Sequence, residues 1–165
     1  MSKLCGVKVV SKRLSRWLTV LRTLQFKDSS DSTNKGTRQK KIGAIGERIA
    51  RAYLKKHGWR ILDTNVRFGQ DELDILAMCP SEKTIVIVEV RTSACKGKRP
   101  EATITKRKRK AMRRVASHLQ KEAVKHRCLL RVDVIAVQLA NSNENQQIRH
   151  YKGILPVIKI KKMQF

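Results

Sequence analysis

Aromatic residues are scarce: three Phe, two Trp and two Tyr make up 4 % of the 165 residues. A core must therefore be built from Ile, Val, Leu and Ala, and no platform of rings is available for stacking unpaired bases. That argues against a typical single-strand binder. Acids are equally thin, with 13 Asp+Glu against 38 Lys+Arg and a formal net charge of +25. Such an excess does not suit a neutral metabolic enzyme and points to a polyanionic partner, either nucleic acid or an anionic membrane surface. No apolar run approaches the roughly 18 residues that span a bilayer, which rules out a membrane-spanning helix. The four cysteines (Cys5, Cys79, Cys95 and Cys128) include no Cys-x-x-Cys. Zinc-knuckle and redox motifs are thereby excluded, and free thiols are expected. The four histidines are unclustered and read as surface or packing residues.

What is present is unevenly distributed. Residues 95–131 hold fourteen basic and two acidic residues, whereas residues 41–94 hold nine and seven, more than half of all the acids. Residues 1–27 place Leu14, Trp17, Leu18, Leu21 and Leu24 at helical spacing among Lys and Arg, a basic amphipathic helix. The favoured reading is a loosely attached extension, over packing on the domain or contact with a membrane surface. Residues 28–40 are polar and contain Gly and Ser, so they read as a flexible linker. Residues 41–155 form the expected folded domain and 156–165 a basic tail.

Within that domain, Ile42 to Lys56 has the spacing of a helix, with Gly58 as its stop. Strands are expected at 59–66, 72–78 and 83–90; the last two carry apolar residues on both faces, as strands covered on two sides do. A basic helix is expected over 105–125, then strands at 129–139 and 147–151. The order is an α-β-β-β-α-β core, a mixed central sheet flanked by helices.

One constellation carries chemistry. If the second hairpin turns between Ser81 and Glu82, opposed residues have numbers summing to 163, which sets Asp74 opposite Glu89 and Glu72 opposite Arg91. Two neighbouring carboxylates on covered strands repel each other and lose hydration. They need a shared proton, Arg91 or a divalent cation as neutralisation. Carboxylate oxygens suit Mg²⁺ or Mn²⁺, which keep positions open for water and a substrate phosphate. An ordinary ion pair inside a sheet is the alternative. A second cluster comprises Lys96, Lys98, Arg99, Lys106, Arg107, Lys108, Arg109, Lys110, Arg113 and Arg114. Like charges along the 106–110 run repel by a few tenths of a kcal/mol, of the order of ~0.3 per pair. Phosphates would relieve that repulsion and release counterions.

Asp74, followed after fourteen residues by Glu89-Val90-Arg91, resembles the PD-(D/E)xK signature of restriction-endonuclease-like nucleases. The segments GAIGERIARAYLKKHGWRILDTNVR, DELDILA, IVIVEVRT, PEATITKRKRKAMRRVASHL, RVDVIAV and IRHY resemble the YraN family of bacterial proteins over about residues 43–154. The resemblance implies a fold similar to archaeal Holliday-junction resolvases. It also implies that an acid on the first helix, Glu47, joins Asp74 and Glu89 as metal ligands. Arg91 departs from the motif's Lys. Arg essentially never loses its proton, so its expected role is electrostatic. Asp71 stands where the family pattern often has Gly.

The expected function is a Mg²⁺- or Mn²⁺-dependent nuclease acting on DNA, with branched structures as a substrate class. The expected location is the cytoplasm, at the nucleoid. A homodimer would suit the two cleavage sites of a junction. The alternatives are a non-catalytic nucleic-acid-binding protein with the same fold, and a membrane-surface or ribosome-associated protein anchored by residues 1–27.

Overall fold

The computed structural model describes residues 34–80, 83–95, 97–139 and 146–155. The expected amphipathic extension at 1–27, Lys96 and the basic tail lie outside the described residues. Helix α1 spans Asn34–Lys56, β1 Arg60–Phe68, β2 Asp71–Met78, β3 Thr84–Ser93, α2 Lys106–Lys125, β4 Leu129–Gln138 and β5 Gln147–Tyr151. A single 3-10 turn at Pro100–Thr103 precedes α2. The five strands lie in the order β1-β2-β3-β4-β5. All neighbours are antiparallel except β3 and β4. That parallel pair requires a crossover, and α2 supplies it. The architecture is the mixed α-β-β-β-α-β core read from the sequence.

Helix α1 begins earlier than the apolar spacing indicates, at Asn34, inside the stretch 28–40 read as a linker. Arg38, Gln39, Lys40 and Lys41 are good helix formers and continue the backbone without an apolar stripe. Its other end stops where expected. Gly58 takes φ +76° and Trp59 N–H returns to the Leu54 carbonyl at 3.0 Å, closing the last turn.

The sheet is buried on both faces. On one, Met112, Val115, Leu119 and Ala123 of α2 pack against Leu76, Ile85, Ile87, Leu130 and Val132. On the other, Ala50 and Leu54 of α1 pack against Ile75, Val86, Val88, Ile135 and Val137. Alternate residues of β3 therefore serve opposite layers, which explains its unbroken apolar run. Each fully buried Val, Leu or Met side chain contributes roughly 1.5–3 kcal/mol. Gly46 lets α1 lie directly against β3: a Cβ there would collide with the Thr92 side chain. The close approach brings the next residue, Glu47, to the sheet.

A polar node ties β4 to β5. Asp133, fully buried, accepts from Arg131 Nε at 2.9 Å and Nη2 at 3.1 Å and from the Gly153 N–H at 2.9 Å, and its Oδ2 lies 3.0 Å from His150 Nε2. His150 in turn packs against Trp59 and Tyr53. No helix among the described residues is long and apolar enough to cross a membrane.

Candidate active site

The β2–β3 ladder runs in the register read from the sequence: Ile75 faces Val88 and Met78 faces Ile85. It ends at Ile75–Val88, one position short of Asp74–Glu89. The Val90 N–H, which a continued ladder would direct to a β2 carbonyl, donates instead to Asp74 Oδ2 at 2.6 Å. The expected Glu72–Arg91 opposition is consequently not formed, and Glu72 is exposed. The strands part because a carboxylate takes the backbone donor, and the parting opens a gap at the end of the sheet.

A cavity of about 860 Å³ occupies that end, lined by Glu47, Asp74, Glu89, Arg91 and Lys108 among others. The four residues singled out from the sequence as catalytic are thus brought together. Glu47 comes from α1, Asp74 from β2 and Glu89 with Arg91 from β3. Arg91 Nη2 lies 3.1 Å from Glu89 Oε1, and its buried Nε has no hydrogen-bond partner among the described residues. Arg51, one turn on from Glu47, stands 3.8 Å from it.

All three carboxyls hold their protons more tightly than usual. Burial and then the neighbouring Asp74 push Glu89 up to about 7, against the pull of Lys108 and Arg91. Burial raises Asp74 despite the Val90 N–H, Lys108 and Arg91. Burial, followed by repulsion from Asp74, raises Glu47. Loss of hydration on burial is the largest cause in all three, and repulsion between neighbouring acids adds to it. Three oxygen-bearing side chains under that strain suit a hard divalent cation in chemistry. They do not yet form its cage: among the described residues no three His, Cys, Asp or Glu are grouped closely enough to hold an ion.

Two contributors escaped the sequence reading in these roles. Lys108, placed there in the basic cluster, turns inward instead. Its Nζ lies 2.9 Å from Glu89 Oε2 and 3.3 Å from the Glu72 carbonyl. Thr105 caps α2 and accepts from the Lys108 N–H at 3.2 Å, which steadies the backbone of this residue. A signal existed: Lys108 lies four residues before buried Met112, on the apolar stripe of α2. Asn65 is the second. It falls between the pairs Thr64–Ile75 and Val66–Leu73, hence opposite Asp74, and has φ 53°. Its side chain hydrogen-bonds Glu47. Asn tolerates that left-handed conformation better than most residues.

Among the other basic candidates, Lys98, Arg99, Lys106, Arg107, Arg109, Lys110 and Arg113 are exposed. Arg114 is engaged: Nε and Nη2 grip Asp71 at 2.7 and 2.6 Å, tying α2 to the start of β2. Asp71, at the position where the resemblance anticipates Gly, thus has a structural partner.

Comparison with known proteins gives the family. Residues 46–137, from the glycine beside Glu47 through nearly all of β4, match the Uncharacterised protein family UPF0102. The chain belongs to this family. It is the YraN family of the resemblance, a member of the restriction-endonuclease-like superfamily. A UPF0102 protein of Chlorobaculum parvum is 40 % identical over 111 residues, covering 67 % of this chain and 84 % of its own. One from Chlorobium phaeobacteroides is 37 % identical over 111 residues, covering 67 % and 85 %. One from Mycobacterium bovis is 35 % identical over 116 residues, covering 68 % and 91 %. The family match spans Glu47, Asp74, Glu89, Arg91 and Lys108.

Proposed function

We propose that this protein is a nucleic-acid-binding, divalent-metal-dependent nuclease that hydrolyses phosphodiester bonds of DNA, with branched structures as the favoured substrate. The observation that carries this reading is the meeting of Glu47, Asp74 and Glu89 in one cavity beside the exposed basic face of α2. Those three side chains would hold Mg²⁺ or Mn²⁺. The ion would supply positive charge against the charge that develops at phosphorus, and a more acidic water. Arg91 is fixed beside Glu89 with a buried Nε–H that has no acceptor among the described residues. A non-bridging phosphate oxygen is the acceptor it fits. Lys106, Arg107, Arg109, Lys110 and Arg113 face outward along α2, where they meet backbone phosphates and set position rather than sequence preference. Two copies acting together would place one cut in each strand of a junction. A protein of this kind would work in the cytoplasm at the nucleoid.

A second reading, a binder that keeps the fold without cutting, is favoured by one feature: both oxygens of Glu89 already face cations. One experiment separates the two. The full chain is incubated with linear and branched duplexes with and without Mg²⁺ or Mn²⁺, and binding is measured across salt. A nuclease cuts only with metal. Asp74→Ala and Glu89→Ala then lose at least ~100-fold in cleavage, about 3 kcal/mol of barrier, while binding stays within a few-fold. Salt-sensitive binding that ignores metal, with no cleavage, leaves the binder reading.

A further inference from the structure

Lys108 stands apart from the other basic residues of its helix. Arg107 and Arg109 on either side are exposed, whereas Lys108 is half-buried in the cavity and bonded to Glu89 and to the β2 backbone. Its ammonium occupies the side of Glu89 not taken by Arg91, and its charge also acts on Asp74. A lysine is a compact charge on a flexible four-carbon stem, able to change partner without moving the helix. The residue is rooted in the first turn of α2, at the base of the face that would receive a phosphate backbone.

We infer that Lys108 is a substrate-contacting residue that serves as a resident counter-ion: it holds Glu89 in the free protein and passes to a backbone phosphate of DNA when a divalent cation takes its place. This rests on the nuclease-site reading above. Cation and ammonium compete for one carboxylate, and the phosphate offers the displaced ammonium a new partner. The two ligands must therefore assist each other. By linkage, DNA strengthens cation binding by the factor by which the cation strengthens DNA binding.

The test measures Mn²⁺ binding to the full chain by the spectroscopic signal of free Mn²⁺. It is run alone and with a short phosphorothioate duplex that keeps its charge and resists cutting, with binding to the duplex itself subtracted. In the wild type the duplex should tighten Mn²⁺ binding by about tenfold, within the usual range of coupling between sites. Lys108→Met, and Lys108→Gln, whose amide can still donate to the Glu72 carbonyl, should bind Mn²⁺ more tightly than wild type without DNA. Both should lose most of the gain from the duplex. Lys108→Arg keeps the charge and should retain the coupling. Equal Mn²⁺ affinity in wild type and both neutral variants overturns the inference and leaves the metal site standing. So does an undiminished gain from DNA in those variants. Coupling that is abolished by the neutral variants, in a protein that never cuts DNA, upholds the inference and removes the catalytic reading. No Mn²⁺ binding in any form removes both.

Discussion

Asp133 on β4 and Glu89 on β3 lie on adjacent strands, 0 % and 3 % exposed, and each faces an arginine two residues away on its own strand. Their proton affinities nevertheless move in opposite directions. Burial alone would raise Asp133, but hydrogen bonds from His150, Arg131 and the Gly153 N–H outweigh it and hold the carboxyl below its usual range. Glu89 has Lys108 and Arg91, yet burial and the proximity of Asp74 prevail and raise it to about 7. A buried acid that is fully bonded fastens one strand to another. A buried acid with a like-charged neighbour at the lip of a cavity keeps its proton instead, the perturbation that marks it as a candidate functional group.

The largest expected difference is in stability. Asp133→Ala removes the buried acceptor that Arg131, His150 and the Gly153 N–H share, and should cost about 3–5 kcal/mol in chemical unfolding, the range for breaking a buried charge pair. A cost under about 1 kcal/mol would show that the node is not what joins β4 to β5.

The pH dependence sharpens the contrast. The folded-state value of Glu89 is raised, so its contribution is fully present below its unfolded value of 4.5 and is lost as pH rises through about 7. Asp133 is the reverse: its contribution is present above 3.8 and fades as pH falls through its lowered folded value. Glu89→Gln removes the titrating charge. Its stability relative to wild type should therefore improve from pH 5 to pH 8, by up to about 3 kcal/mol. Asp133→Asn should show no such improvement over that interval. Parallel unfolding curves at the two pH values for Glu89→Gln and wild type would contradict the raised value.

The smallest effect concerns positioning. Asn65→Ala removes the amide that holds Glu47 and places a less tolerant residue at φ 53°. On the proposed nuclease reading, metal-dependent cleavage should fall by about tenfold, roughly 1.4 kcal/mol, with DNA binding unchanged. Asn65→Asp accepts the backbone conformation but brings a third acid toward Asp74, and should not restore cleavage. An Asn65→Ala protein with full activity would free Glu47 from any dependence on β1.

Much of this molecule was legible from residue order because the relevant physics is local. A short connection between β2 and β3 fixes the hairpin phase, seen in the Met78–Ile85 and Ile75–Val88 pairs, and a period of two along each strand then carries Asp74 toward Glu89. Gly58 stops α1, and the unbroken apolar run of β3 announces a layer on either side. Other features depend on relations that no local rule contains. Asp133 sits in an apolar run whose meaning changes only when His150, seventeen residues later, is laid beside it. By residue order Arg114 is one more member of a basic cluster; the packing of α2 sets it against Asp71.

The order of residues by itself determined the strand and helix sequence, the hairpin register, the basic surface and the acid pair Asp74 and Glu89, since each follows from spacing, charge count or a turn; Glu47 entered only through the family resemblance. Tertiary structure alone decided that β2 and β3 part at Asp74, that Gly46 lets Glu47 approach the sheet, and that Lys108 turns inward to Glu89. The physical reason is that burial and opposing charge are properties of what packs alongside a residue. The rotation of α2 about its own axis, set by Met112, Val115 and Leu119 against the sheet, assigns each lysine to solvent or to the site.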